Sequence, residues 1–221
     1  MKIIGHRGAA GLALENTKES VLAAIKAGVD AIEFDVRKTK DDELVINHDK
    51  SLRHTYGKDL VIAEHTLAEL QAAAPQLLTF HDFLQLTGQT PLVIELKEVI
   101  PVKLLKTELT KINHDLYSIV SFKLAALQTI QQDFPDVHMS LLSFAWPCLR
   151  EHQAHNAGLQ GIGVYWLFLN PLVYWQTKRH NLEIYTYTVN HPWIARAINT
   201  LYPRVKICTD RPDRLQFLRA Q

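Results

Sequence analysis

The chain has 221 residues, with Lys+Arg 24 against Asp+Glu 23, a formal net charge of +1, 47% hydrophobic and 21% charged residues. That balance excludes a disordered, collagen-like or disulfide-framework chain, and it offers no electrostatic footprint for wrapping nucleic acid or a strongly anionic membrane surface. At roughly 150 residues per domain as a soft prior, with α/β barrels running larger, residues 1–221 read as one domain.

Short apolar or β-branched runs alternate with helix-like stretches, the pattern of βαβ units and a parallel sheet. The expected strands are Lys2–Gly5, Ala31–Val36, Leu92–Lys97, Ser118–Ser121, His138–Ser143, Gly161–Tyr165, Glu183–Val189 and Val205–Thr209. Asn16-x-x-Glu19 reads as a capping box before a helix with Val21, Leu22 and Ile25 on its apolar stripe; Thr66-x-x-Glu69 reads as a second. Pro192 opens a helix carrying Ile194, Ala197, Ile198 and Leu201, and Pro212 opens a last one with Leu215 and Leu218. Eight strand–helix repeats predict an α/β protein, a (β/α)8 TIM barrel, with an open doubly wound sheet as the alternative.

One segment breaks the alternation. After Val36 the chain passes through Arg37-Lys38-Thr39-Lys40-Asp41-Asp42-Glu43 and returns as Leu44-Val45-Ile46, which predicts a small β-hairpin insertion after the second strand. A two-residue Asp41-Asp42 loop would set His48 opposite Asp35. A turn one or two residues different would tilt this arrangement and still bring His48 back toward Asp35.

Cys148 and Cys208 form no C-x-x-C pair and read as buried free thiols. No run of 18 apolar residues occurs, and Met1-Lys2 leads directly into Ile3-Ile4-Gly5 without a signal-like apolar segment. The expectation is a soluble, cytoplasmic protein without stable membrane insertion.

Side chains alternate across a strand, so Ile32, Phe34 and Val36 facing the helices send Glu33 and Asp35 inward. In Leu92–Lys97 the same logic turns Glu95 and Lys97 inward. Three carboxylates on neighbouring strands, roughly 5 Å apart, repel strongly and require positive charge. Hard oxygen ligands of this kind suit Mg²⁺ or Ca²⁺. The alternative is an internal salt-bridge network of Glu33, Asp35, Glu95, Lys97 and Arg7. His6 and Arg7 follow the first strand, at the face where barrel enzymes carry their active sites, and His48 approaches the same place. Two histidines beside a cation, with Arg7 and Lys97 as anion donors, fit cleavage of a phosphate ester.

His6-Arg7-Gly8, Glu15-Asn16-Thr17, Ile32-Glu33-Phe34-Asp35-Val36, Thr39-Lys40-Asp41, His48-Asp49, Ile94-Glu95-Leu96-Lys97, Thr188-Val189-Asn190 and Thr209-Asp210-Arg211-Pro212 run in that order. With these the chain resembles the glycerophosphodiester phosphodiesterases from its first strand to its last helix. The resemblance implies a barrel that hydrolyses glycerophosphodiesters to glycerol 3-phosphate and an alcohol, in some relatives through a cyclic phosphate. It implies Glu33, Asp35 and Glu95 as ligands of the divalent cation, His6 and His48 as the acid/base pair, and Arg7 and Lys97 on the phosphate. Three positions depart from the family pattern: Leu14 replaces a usual Pro, Asp42 a usual Gly, and Tyr187 a usual Trp. Tyr187 keeps an aromatic wall against the substrate's alcohol. The short Ser51–Thr79 segment points to a reduced substrate-capping insertion.

His152-x-x-His155 has helical spacing but lies on a polar face and reads as solvated surface. Trp166, Phe168 and Trp175 read first as core and second as a pocket or acyl-chain groove. Competing functions are lysophospholipase D hydrolysis on the same scaffold and non-catalytic phosphodiester binding. The expected partner is a small diester, without nucleic acid.

Overall fold

Alternation along the strands divides the apolar residues between two layers, and the computed structural model, which describes residues 1–218, builds the barrel around that division. The strands are β1 (Ile3–Gly5), β2 (Ala31–Lys38), β3 (Leu44–Ile46), β4 (Leu92–Leu96), β5 (Tyr117–Ser121), β6 (His138–Ser143), β7 (Gly161–Tyr165), β8 (Glu183–Tyr187) and β9 (Lys206–Thr209). They lie in the order β1-β9-β8-β7-β6-β5-β4-β2-β3, and β1 also pairs with β2. That last pairing closes eight parallel strands into a ring, leaves β3 outside it, and excludes the open doubly wound alternative.

Outward-facing Phe34 stacks on Phe83 at 3.9 Å between ring centroids and joins Ile32, Ile94 and Leu96 in the main core beneath the helices. A separate cluster of Ile4, Val93, Val120, Leu142, Tyr185 and Cys208 fills the barrel interior. Burying such side chains contributes about 1.5–3 kcal/mol each. Gly163 is what admits Tyr185 to this interior, because a Cβ there would stand 2.8 Å from the Tyr185 ring.

The helices are α1 (Lys18–Lys26), α2 (Arg53–Tyr56), α3 (Leu67–Ala73), α4 (Phe80–Thr87), α5 (Val102–Leu109), α6 (Leu124–Gln131), α7 (Pro147–Asn156), α8 (Pro171–Arg179) and α9 (Pro192–Leu201). The capping box at Thr66 and Glu69 and the Pro192 helix start form as expected. The first capping box differs: Thr17 and Ser20 form it, because Asn16 turns its side chain inward to Asp35 instead. Beyond Pro212 the described chain makes two 3₁₀ turns rather than an α-helix, which suffice to bury Leu215 and Leu218.

β2 and β3 form the expected hairpin, one residue out of the expected register: Val36 pairs with Ile46, Arg37 with Val45 and Lys38 with Leu44. The loop has a third residue, since Thr39 N–H donates to Glu43 O and Asp42 takes φ 65°. The left-handed conformation at the end of a three-residue loop explains why glycine would suit position 42, and Lys38 Nζ holds the Asp42 carboxylate at 2.7 Å. Asn47 rather than His48 therefore meets Asp35, donating its N–H to Asp35 O at 3.1 Å. The short Ser51–Thr79 segment folds over the hairpin with its own cluster of Val45, Leu52, Ile62, Leu70, Ala74 and Leu77.

Candidate active site

The site is built at the carboxyl ends of β1, β2, β4 and β9. Asp35 and Glu95 are register partners on β2 and β4, and Glu33 lies two residues before Asp35 on the same face. All three are buried, and each can place one oxygen so that the three lie within 4.8 Å of one another. Burial, then the charges of Asp35 and Glu95, push the Glu33 carboxyl up to about 8. Burial also works against the Asp35 charge, but Lys97 and Arg7 override it and draw that carboxyl down to about 2. Burial and the neighbouring Asp35 raise Glu95.

Both cations named in the salt-bridge alternative are present. Lys97 Nζ lies 2.6 Å from Glu95 Oε1 and 3.4 Å from Asp35 Oδ1, and Arg7 Nε lies 3.4 Å from Asp35 Oδ2. Arg7 is shared, because its Nη1 donates to Glu15 Oε2 at 2.8 Å. Without a further cation Glu33 holds a proton up to about 8, and the buried Asp35 Oδ1, 3.4 Å from Lys97 Nζ, accepts no hydrogen bond. An all-oxygen donor set with an unsatisfied buried carboxylate oxygen fits a divalent cation such as Mg²⁺ or Ca²⁺.

His6 leaves β1 on a tight turn in which Arg7 has φ 48° and Gly8 φ 83°. A Cβ on Gly8 would meet the Ser20 backbone carbonyl carbon at 2.6 Å, so this turn requires glycine. Gly8→Ala is expected to lower stability by about 2–3 kcal/mol, from the positive φ and the clash together. For a chain of this size that is a fall of ~5–10 °C in thermal melting, which calorimetry reads directly.

His6 Nδ1 lies 2.6 Å from Asp210 Oδ1, and its Nε2 stands 4.0 Å from Glu33 Oε2. Burial lowers the His6 pKa, but the Asp210 hydrogen bond and the Glu33 charge outweigh it, and the net shift is upward. Asn190 Nδ2 fixes Asp210 from the other side at 2.7 Å. His48 pairs in the same manner, Nδ1 to Asp49 Oδ1 at 2.7 Å. Its carbonyl accepts from Arg37 Nε and Nη2 at 2.9 and 2.6 Å, which ties the loop to β2. Burial and the charges of Lys97 and Arg7 carry the His48 pKa downward, despite the opposing pull of Asp35.

His6, Arg7, Glu33, His48, Glu95 and Lys97 line one side of a cavity of about 260 Å³. Phe122, Leu142, Phe144, Tyr165, Tyr185 and Tyr187 line the other. Every residue predicted for the site except Asp35 therefore lines this cavity, and Asp35 is buried beside Glu33, Glu95 and Lys97. Tyr187 presents its ring, since its hydroxyl is spent on Ser143 O at 2.8 Å. Of the three aromatics read first as core, only Trp166 packs there; Phe168 and Trp175 are exposed. His155 is exposed, as expected, and stacks on His180 at 4.1 Å. Cys208 is buried in the barrel, while Cys148 is only half-buried.

Sequence reasoning did not assign Asp210, Asn190, Asp49, Glu15 or Asn16 to the site. The register holds the signal for Asp210: Gly5 pairs with Thr209, so the residues that follow, His6 and Asp210, emerge side by side. Asn16 donates from Nδ2 to Asp35 Oδ2 at 2.8 Å and stands in the left-handed region at φ 57°, a conformation asparagine tolerates.

A parallel barrel with a buried carboxylate cluster, paired histidines and guanidinium and ammonium donors at its carboxyl face suits a hydrolase of phosphoric diesters. The chain matches the glycerophosphoryl diester phosphodiesterase family over residues 6–214, and it belongs to that family. It is 27% identical over 233 residues to the Bacillus subtilis (strain 168) protein YhdW, covering 96% of each chain. Human lysophospholipase D GDPD1 is 36% identical over 99 residues, 44% of this chain and 32% of that protein. The Oleispira antarctica phosphodiesterase OLEI02445, solved with sn-glycerol-3-phosphate, shares the fold with a TM-score of 0.90 at 22% identity, covering 100% of this chain and 97% of that one.

Proposed function

We propose that the protein hydrolyses glycerophosphodiesters to glycerol 3-phosphate and an alcohol, using a divalent cation on Glu33, Asp35 and Glu95 and a His6/His48 acid–base pair. The observation that carries this is the pair of histidines lining one cavity, each with Nδ1 held by its own aspartate and its pKa shifted in opposite directions. The cation would supply Lewis-acid stabilisation of charge on the phosphoryl oxygens. Arg7 and Lys97 orient those oxygens. His48, neutral with its Nδ1–H donated to Asp49, offers Nε2 to take the proton from the attacking hydroxyl: water, which gives glycerol 3-phosphate directly, or the substrate's own glycerol oxygen, which gives a cyclic phosphate that water then opens, breaking one ring P–O bond, to glycerol 3-phosphate. His6, kept protonated by Asp210, gives its Nε2 proton to the departing alcohol oxygen. Tyr187 bounds the alcohol. The complex of the Oleispira structural neighbour with sn-glycerol-3-phosphate supports this choice of product.

The test is incubation with glycerophosphocholine and glycerophosphoethanolamine in the presence of Mg²⁺ or Ca²⁺, following glycerol 3-phosphate and free alcohol. Absence of both products with either cation overturns the reading. The plot of kcat/KM against pH is expected to be a bell. Its acid limb falls below the ordinary histidine value of 6.5, where His48 takes up a proton, and its alkaline limb above 6.5, where His6 loses one. A single-limbed profile would reject the division of roles.

A second reading, lysophospholipase D hydrolysis, is favoured by the aromatic side of the cavity and by the similarity to the human lysophospholipase D. A lysophospholipid tested beside the acyl-free diesters separates the two by kcat/KM.

A further inference from the structure

The mouth of the barrel has two chemically different halves. Loops after β1, β4 and β9 carry charge, including Arg7, Glu15, Lys97, Glu98, Asp210 and Arg211, as does the turn and return of the β2–β3 hairpin. Around the other half, residues 139–149, 161–177 and 184–195, spanning the loops after β6, β7 and β8, contain no Asp, Glu, Lys or Arg. These three strands are neighbours in the ring and parallel, so their loops emerge together on the face that bears the site.

The uncharged loops turn large apolar side chains outward. Trp146 is 78% exposed, Trp193 71%, Phe144 63% and Leu167 61%. Trp146 stands at φ 57°, ψ 51°, a backbone conformation uncommon for a bulky residue, which sets its indole outside the α7 start. The patch is continuous with the cavity: Phe144 stacks on Tyr165 at 5.1 Å, and Tyr165 meets Tyr187 at 6.3 Å. Large apolar side chains exposed on three neighbouring loops, one of them joined to the cavity lining through Phe144 and Tyr165, mark an interaction surface rather than incidental exposure.

We propose that this half of the mouth docks on the surface of a zwitterionic lipid layer, with Trp146 and Trp193 as interfacial anchors and Phe144 and Leu167 in the acyl boundary. Indole rings favour the level of the headgroups because one edge is apolar and the N–H finds a polar partner. A stretch without Asp, Glu, Lys or Arg enters that boundary without desolvating a permanent charge, and it provides no strong attraction to anionic lipid. The charged half then stays in the headgroup water beside the phosphodiesters. A second copy of the chain is the other occupant such a face could take, and light scattering separates it from the lipid surface. The docking itself needs no turnover and stands apart from the diesterase reading.

Co-sedimentation with vesicles of pure phosphatidylcholine, with tryptophan emission recorded, tests this. The wild-type protein is expected to partition to the vesicles with a blue shift, equally at low and high salt. Trp146→Asn together with Trp193→Gln is expected to weaken partitioning by about tenfold or more. Hydrolysis of an acyl-free soluble diester is expected to remain unchanged in that variant. Should the double variant melt early, Trp193→Gln alone, on ordinary helical backbone, carries the same comparison. No partitioning of the wild type, undiminished partitioning of the variants, partitioning lost at high salt, or a light-scattering dimer that the variants dissolve would each overturn the proposal.

Discussion

Replacing His6 or His48 with alanine is expected to lower kcat on a glycerophosphodiester by about 10²-fold or more each, the usual contribution of a positioned general acid or base. Far-UV circular dichroism should stay at wild-type values, because both imidazoles border the cavity and neither belongs to the apolar clusters. Asp210→Asn probes His6 from behind. Its amide oxygen keeps an acceptor 2.6 Å from Nδ1 while its charge is gone, and that charge helps hold the His6 pKa up. The alkaline limb of the pH profile should therefore move to lower pH while the acid limb, set by His48, stays. The two alanine variants combined should lose less than the product of the single losses if the histidines act in one concerted transfer. Turnover within a few-fold of wild type in either single variant would remove that histidine from the chemistry.

Removal of divalent cations by thorough chelation is expected to abolish measurable hydrolysis, with recovery on addition of Mg²⁺ or Ca²⁺. The same treatment should expose a pH-dependent stability. Without a cation, folded Glu33 keeps its proton up to about 8, against an ordinary value of 4.5. The stability associated with that proton is fully present below 4.5 and is lost as pH rises toward 8. Melting temperature should fall across that window in chelator, and a saturating cation should flatten the fall by replacing the proton. Calorimetric titration at neutral pH should accordingly show release of about one proton per cation bound. Glu33→Gln should remove both the proton release and the pH-dependent part of the melting, with a large loss of cation affinity. Full activity in chelator, or cation binding unaccompanied by proton release, would contradict the carboxylate assignment.

The charged and aromatic halves of the cavity also bear on specificity. On the proposed reading Arg7 and Lys97 would meet any phosphodiester alike, so discrimination between alcohols would fall to the aromatic lining, where Tyr187 offers its ring and not its tied-back hydroxyl. Recognition of a quaternary ammonium by aromatic faces is the physical expectation for such a wall.

The sequence by itself determined the strand count, the direction of side chains on each strand and the hairpin that breaks the alternation. These depend on period, which survives without knowledge of neighbours: Phe34 and Ile94 between polar residues had to face the helices, and Glu33, Asp35 and Glu95 had to turn inward. The tertiary structure alone decided matters that depend on one residue of register or on a partner far along the chain. Closure of β1 on β2 requires twist summed around eight strands, which no local pattern carries. Register across β2 and β3 turned on Asp42 adopting the left-handed conformation, a choice between turn lengths of nearly equal local energy. The Asp210 partner of His6 lies 204 residues away in sequence and becomes a neighbour only when the last strand seals the ring. The division of the mouth into a charged and an uncharged half likewise arises only when the ring sets the loops of β6, β7 and β8 side by side.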